Sequence, residues 1–308
     1  MNDDRASVHH GFVAARRYHP TSDRRPAEPG RCQLGHAEQG KGREEWSTVL
    51  AEFRRAATPR GRARLGRFAI EGTRAHERAL RAAAALESVL LSRGYRDDTT
   101  SRRRALLEDL SRAGCRVHVV PDEILASLTG GRSIGAIVGL VRTPEPPSLD
   151  RVLGSTKGSR PVLLVAVDVE DPGNVGALTR TALASGATAL VAIGISDPFH
   201  PRALRISMGS VFKLPILLYR KLDGFLNDLR PFACRTVGAV STGGTPLPDA
   251  RFGDRAVAVL MGSEAFGLSP GTTAAVDARI TVPMAPGVDS FSVNAAAAVI
   301  LYEIRRHG

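Results

Sequence analysis

Six apolar runs in the second half of the chain limit its fold more than any other feature. "PVLLVAV", "ATALVAIG", "KLPILLY", "CRTVGAVS", "AVAVLMG" and "RITVPM" are continuous rather than alternating. A strand with one wet face alternates polar and apolar residues. A continuous run reads as a strand buried on both faces, as in a parallel sheet covered by helices. Helical stretches are predicted between several of these runs, at 175–185, 201–210, 222–229 and 292–306. The order strand, helix, strand predicts an open α/β sheet. Ligands of such sheets sit beyond the carboxyl ends of the strands. The loops to examine for chemistry are therefore 168–176, 238–244, 262–269 and 283–292.

The first half is organised differently. Residues 1–46 are rich in Pro, Gly, Arg and Glu and keep no apolar period, so they read as a disordered tail, with a basic RNA-touching arm as the other reading. The opening "MNDDRASVHHG" lacks the apolar core of a secretory signal. From Ser47, "STVLAEFRRAATPRGRARLGRFAIEGTRAHERALRAA" reads as a helix, a basic loop, a short strand at 67–70 and a helix after Gly72. Arg54, Arg55, Arg60, Arg62, Arg64 and Arg67 cluster around that loop. "LESVLLS", "CRVHVVP" and "GAIVGLVR" are strand-like, and "SRRRALLEDLSRAG" is helical and ends at Gly114. Residues 47–143 thus form a smaller α/β unit. The Pro- and Gly-broken stretch 144–160 reads as a linker, and 161–308 as the second domain.

Composition narrows the partners. The apolar fraction of 43% supports real cores, and no run of about 18 apolar residues offers a membrane span. Cys32, Cys115 and Cys234 lie far apart without a CxxC pair, which argues against a zinc or other metal site and a disulfide framework and points to a reducing cytoplasm. The net charge is +11. Residues 1–150 hold 26 Lys and Arg against 19 Asp and Glu, and the remainder holds 16 against 12, so the excess leans toward the N-terminal side. Arginine supplies nearly all of it, and its planar fork suits phosphate. An Arg-rich genome composition would produce the same bias.

Three loops carry polar groups at strand ends. In "DPGNVGALTR", Asp171-Pro172-Gly173 forces a turn, Asn174 is a candidate helix cap, and Gly176 allows close approach of backbone or ligand. Arg180, four residues on, shares the helix face of Gly176. Spacing alone also fits a capped helix with an ordinary surface arginine. In "LMGSEAFGLS", Gly262 and Gly267 flank Glu264 directly after a strand, and no Lys follows, so this is not a P-loop. In "VPMAPGVDSFSVNAAAA", Asp289, Ser290, Ser292 and Asn294 precede an alanine-rich helix; one cap is needed, and four polar groups exceed it. No GxGxxG opens a helix, which disfavours a nucleotide-dependent oxidoreductase.

Taken together and in order, these loops resemble the SpoU (TrmH-like) branch of the SPOUT RNA methyltransferases. "DPGNVGALTRTA" is similar to the family's first motif, "LMGSEAFGLS" to its second and "VPMAPGVDSFSVNAAAA" to its third; "SDPFHPRALRISMGSVFKLPI" resembles the segment between the first two. Residues 47–143 resemble, more loosely, its ribosomal-protein-like RNA-binding domain through "GRFAIEGTRAHERAL". The resemblance implies a trefoil-knotted α/β catalytic domain, S-adenosylmethionine as cofactor, and a homodimer formed through the C-terminal domain, with each site completed across the interface. It implies that Arg180 engages RNA phosphate and ribose, that Asn174 orders the site, and that Glu264 holds Arg180 or the site loop. Ser290 matches the third-motif serine. Gly262, Val282 and Phe291 match positions whose backbone holds adenine and ribose, with Ser241 on a flanking loop. Ser292 stands where the family has asparagine, and Asn294 follows two residues later. The implied activity is methylation of a ribose 2′-hydroxyl, in ribosomal rather than transfer RNA, with Arg60, Arg62 and Arg64 as RNA contacts. An antibiotic-resistance enzyme would be a special case of that chemistry. A non-catalytic RNA-binding protein that keeps the fold is the competing reading.

Overall fold

The structure, a computed structural model, describes residues 41–131, 136–155 and 160–306. Most of the stretch read as a tail, residues 1–40, lies outside the described residues. Residues 41–46 do not continue that tail, because helix α1 (Lys41–Ala56) already begins there.

The first half alternates as expected. After α1 come α2 (Pro59–Leu65), β1 (Arg67–Glu71), α3 (Thr73–Arg81), β2 (Leu86–Ser92), α4 (Arg93–Asp97), α5 (Ser101–Arg112), β3 (Arg116–Val120), α6 (Asp122–Thr129) and β4 (Ile137–Arg142). The four strands form one sheet in the order β1-β4-β2-β3, with β4 antiparallel to both its neighbours and β2 parallel to β3. Local chemistry explains the punctuation. Thr58 caps α2 by accepting from the Gly61 amide at 3.0 Å, Pro59 opens the helix, and Gly66 closes it at φ +60.

The stretch read as a linker is not all connection. It carries α7 (Leu149–Gly154), capped by Ser148, and it buries Leu149 and Val152 against the second sheet. Half-buried Leu153 packs beside them, and three residues are too few to leave a periodic pattern. The second half then runs β5 (Val162–Val167), α8 (Pro172–Ala184), β6 (Ala189–Ile193), α9 (Pro201–Ile206), a 3-10 turn at Ser210–Phe212, β7 (Ile216–Tyr219), α10 (Leu222–Leu229), β8 (Arg235–Ala239), β9 (Thr245–Pro246), β10 (Val257–Met261), α11 (Pro270–Ala275), β11 (Ala278–Thr281) and α12 (Val293–Arg306).

These seven strands make one parallel sheet in the order β7-β6-β5-β10-β8-β11-β9. Along β5, Val162, Leu164 and Ala166 pack into one core cluster while Leu163, Val165 and Val167 pack into another on the opposite face. β10 divides the same way, with Val257, Val259 and Met261 on one side and Ala258 and Leu260 on the other. Burial of both faces is the physical reason these runs are continuous. α12 buries Ala297, Ile300, Leu301 and Ile304, a single helical stripe.

The two sheets share a core. Phe68 of β1 stacks on Phe199 at 4.9 Å between ring centroids and lies 6.2 Å from Phe212. Beside it, Arg62 is buried, pairs with Asp197 and donates to the Ala56 carbonyl at 2.9 Å. This corrects the reading of Arg62 as an RNA contact. One arginine of the basic loop braces the junction, whereas Arg60 and Arg64 remain exposed. Arg62→Ala leaves Asp197 without its cation in a partly dry site and should lower stability by about 2–3 kcal/mol. Urea unfolding reads this directly, and a loss below about 0.5 kcal/mol, the range of a surface substitution, would contradict the brace.

His76 on α3 is fully buried, with Nδ1 donating to the Gly72 carbonyl at 2.9 Å and the ring lying where a Cβ at Gly139 would stand 2.6 Å from Nε2. Burial pushes its pKa from 6.5 down to about 4, against backbone hydrogen bonds at Gly72 and Val138 that hold it up. Above pH 6.5 the ring is neutral in both folded and unfolded chains. As pH falls from 6.5 to about 4 the unfolded chain binds the proton first, so stability drops through that window, by about 3 kcal/mol from this group. Comparing wild type with His76→Gln in urea at several pH values between about 7 and about 4 should show a shallower acid slope in the variant. Identical slopes would assign the acid loss elsewhere.

Candidate active site

The strand order brings the candidate loops together. β10 lies between β5 and β8, and β11 lies on the far side of β8. Met261 pairs with Ala166, Leu260 with Gly238, and Ile280 with Ala239, so the strands end at one level. The loops leaving β5, β10, β8 and β11 therefore meet at one edge of the sheet. β6 and β7 extend from β5 in the other direction, so the order reverses here, where open α/β sheets bind ligands.

Glu264 joins the first loop to the second. Its Oε1 accepts from Asn174 Nδ2 at 2.6 Å and from the Asp171 amide at 3.3 Å, and its Oε2 accepts from the Glu170 amide at 3.2 Å. The carboxylate thus holds the site loop. It forms no ion pair with Arg180, the other partner open to it from the sequence. Asn174 is not the helix cap. Asp171 is, accepting from the Gly173 amide at 2.6 Å with Pro172 at the first helical position. That leaves the Asn174 amide free to reach across. Asp171 also pairs with Arg202 of α9 at 3.1 Å. Gly176 permits the close approach expected of it, and the approaching group is backbone: a Cβ there would lie 2.4 Å from the Ala203 carbonyl oxygen of α9.

Arg180 follows one turn later on α8. It is exposed, and among the described residues it forms no salt bridge. Its neighbour Thr181 donates to Asn294 Oδ1 at 2.7 Å, which ties the arginine's helix to the start of α12. Ser292 caps α12, accepting from the Ala295 amide at 3.3 Å. Ser292 and Asn294 therefore do separate jobs: one ends the third loop and the other braces it against α8. Neither Thr181 nor the Asp171 cap emerged from the sequence reading. The Asp-Pro-Gly order carried a signal for the cap; the Thr181 contact spans 113 positions and left none.

The second loop is a tight turn. Ser263 and Gly267 exchange backbone hydrogen bonds at 3.1 and 2.9 Å, and Gly267 adopts φ +65. A Cβ on Gly262 would stand 2.1 Å from the Gly267 carbonyl carbon, so no side chain fits there without opening the turn. Beyond β8, the Gly244 amide donates to Thr281 Oγ1 at 3.0 Å, which draws the loop bearing the exposed Ser241 against the end of β11. Val282 is half-buried on that end, and Ser290 and Phe291 are exposed on the loop that follows. The structure thus gathers Asn174, Ser241, Gly262, Glu264 and Val282 at one sheet edge, with the loop of Ser290 and Phe291 following from Val282. Arg60 and Arg64 lie on α2, in the other half of the fold.

A parallel sheet with interlocked loops at its switch point is the frame of a ligand-binding α/β domain. Residues 161–302 match the model of the SpoU rRNA Methylase family. The 23S rRNA (guanosine-2'-O-)-methyltransferase RlmB of Bordetella pertussis is 33% identical over 211 residues, 66% of this chain and 82% of the relative. The 23S rRNA (guanosine(2553)-2'-O)-methyltransferase RlmP of Bacillus subtilis is 26% identical over 257 residues, 83% of this chain and 95% of the relative. The solved SpoU methyltransferase AviRb from Streptomyces viridochromogenes, in complex with AdoMet, is similar with a TM-score of 0.71 at 25% identity, covering 84% of this chain and 97% of that one. The chain belongs to the SpoU methylase family.

Gly262→Ala should unpair Ser263 and Gly267, lower stability by about 1–3 kcal/mol and speed amide exchange at Gly267. Unchanged exchange at that amide would show that the turn tolerates a side chain.

Proposed function

We propose that this protein transfers a methyl group from S-adenosylmethionine to a ribose 2′-hydroxyl of ribosomal RNA. The observation that carries the reading is the division of labour at α8. Glu264 and Asn174 lock the start of the helix to the second loop, while Arg180, one helical stretch further on, keeps its charge uncompensated. The relatives named as 23S rRNA 2'-O-methyltransferases and the AdoMet complex of AviRb support the substrate and the cofactor.

The residues present fit that cofactor. Gly262 lets the Gly267 backbone pack directly against it, so the second loop turns tightly and leaves main-chain groups at the sheet edge. Ser241, Val282, Ser290 and Phe291 add hydroxyls and apolar surface without a cation, which suits a positively charged sulfonium. Gly262, Val282 and Phe291 would hold adenine and ribose, with Ser241 flanking them. When bound, S-adenosylmethionine supplies an electrophilic methyl group.

The protein's own residues supply orientation and electrostatics. A guanidinium stays protonated, so Arg180 is an anchor and not a base. It grips phosphate and ribose, lowers the pKa of the attacking hydroxyl and stabilises the developing alkoxide. Glu264 and Asn174 set where α8 begins, and Thr181 with Asn294 sets its distance from the third loop. Ser290 stands exposed on that loop to meet the reacting groups.

Three further elements belong to this reading. The trefoil knot is taken from the family, and its threading is not read from the strand order, in which β10 lies between β5 and β8. Val299 and Tyr302 of α12 are 42% and 70% exposed, an apolar surface beside α8 that supports a homodimer through the C-terminal domain. Residues 47–143 position RNA for the domain at 161–308, and an rRNA substrate places the work in the cytoplasm.

Incubation with unmodified ribosomal RNA and labelled cofactor, followed by digestion to nucleosides, should place label in a 2′-O-methylated nucleoside; label on a base refutes the chemistry. Arg180→Ala should lower kcat at least about 100-fold and leave cofactor affinity, read by calorimetry, within a few-fold of wild type. Loss of cofactor binding, or a kcat unchanged from wild type, would reverse the assignment.

A further inference from the structure

Helix α3 carries arginines at 74, 78 and 81, a spacing that puts all three on one face. Like charges one turn apart oppose helix formation. The nearby carboxylate, Glu77, is engaged by Arg102 at 2.6 and 2.8 Å and offsets the three arginines only in part, at longer range. The face meets the second half of the fold. The Arg78 side chain lies across Gly209, where a Cβ would stand 2.7 Å from its Cδ, and its Nη1 reaches Met208 Sδ at 3.6 Å. Gly209 takes φ +85, and Met208 takes φ +53, a strained value for a residue with a side chain. The 3-10 turn that follows packs on α8, the helix of Arg180. Arg78 and Arg180 feel each other's charge: burial draws the Arg78 pKa down first, and Arg74, Arg81 and Arg180 draw it further. Among the described residues, neither Arg78 nor Arg180 has a carboxylate ion pair.

We infer that Arg74, Arg78 and Arg81 of α3 continue from Arg180 as one phosphate-binding track that holds the RNA backbone next to the target ribose. The inference rests on the methyltransferase reading for the role of Arg180, while the track itself is defined by charge and contact. From position 74 to 81 the helix rises about 10 Å, enough to meet more than one phosphate. Planar guanidinium forks match phosphodiester oxygens bidentately. Gly209 keeps the track continuous, because a side chain there would lift Arg78 off the junction. The RNA path therefore crosses the boundary between the two sheets at Met208 and Gly209, and α3 supplies the phosphate contacts nearest the chemistry, rather than the loop of Arg60 and Arg64.

The test is filter binding of an unmodified large-subunit ribosomal RNA transcript across a salt series. The full-length protein is compared with Arg74→Gln, Arg78→Gln, Arg81→Gln and Arg78→Lys. Each Gln variant should weaken binding several-fold and reduce the slope of log affinity against log salt by about one. Arg78→Lys should keep most of the slope. Arg74 and Arg81 are exposed, so their variants read the track even where Arg78→Gln perturbs the junction. Wild-type affinity and slope in both Arg74→Gln and Arg81→Gln would overturn the track. The nucleoside digest of wild-type reactions separates the two readings. Methylated ribose with unaltered binding by the variants sinks the track alone. Lost binding and slope in the variants without methylated ribose from wild type upholds the track and sinks the enzymatic reading.

Discussion

The position of β10 between β5 and β8 governs the site. All side chains of β5 and β10 are buried, and a shift of register by one residue would exchange the inhabitants of two packed faces. The strand ends are consequently held at one level, and the loops that leave them have little freedom to separate. Glu264 can then collect an amide side chain and two backbone N–H groups from a loop about ninety positions away, because the sheet has already placed the carboxylate there.

That geometry distributes charge in a particular way. Glu264 takes up neutral donors and Asp171 takes up Arg202, so these two carboxylates are occupied and neither pairs with Arg180. A cation compensated by a neighbouring carboxylate attracts phosphate weakly; an uncompensated one on a rigid helix attracts it and holds it in a defined place. The cysteines stand apart from this chemistry. Burial pushes the thiols of Cys115 and Cys234 up to about 11 and about 12, which keeps them protonated and unreactive near neutral pH.

The junction between the sheets shows the same economy of polar groups. Phe68, Phe199 and Phe212 form the apolar seam, and Arg62 with Asp197 seals its edge. A buried arginine is tolerated only with partners, and Arg62 has two, a carboxylate and a carbonyl. Arg60, Arg62 and Arg64 are indistinguishable as letters in one basic loop. The loop turned out to be a helical turn, α2, and helical geometry sends the middle arginine inward while its neighbours face water. Sequence proximity grouped residues that the backbone separates.

The sequence by itself determined the elements whose signal is local. Continuous apolar runs marked six strands, of which β5, β6 and β10 are buried on both faces while β7 exposes Leu218 and β11 exposes Arg279; Gly114 ended α5, and the 222–229 helix matched α10. The order of three loop motifs was legible because strand ends repeat along the chain. Short elements with few buried residues, α6, α7, α11 and β9, left too weak a pattern. Tertiary structure alone decided which side chains meet: Asn174 with Glu264, Thr181 with Asn294, Arg62 with Asp197, and Arg78 with Met208. The reason is physical. Propensity and periodicity act over a few residues, whereas a hydrogen bond or ion pair forms wherever packing delivers its partners, and strand order, which does the delivering, has no local signature.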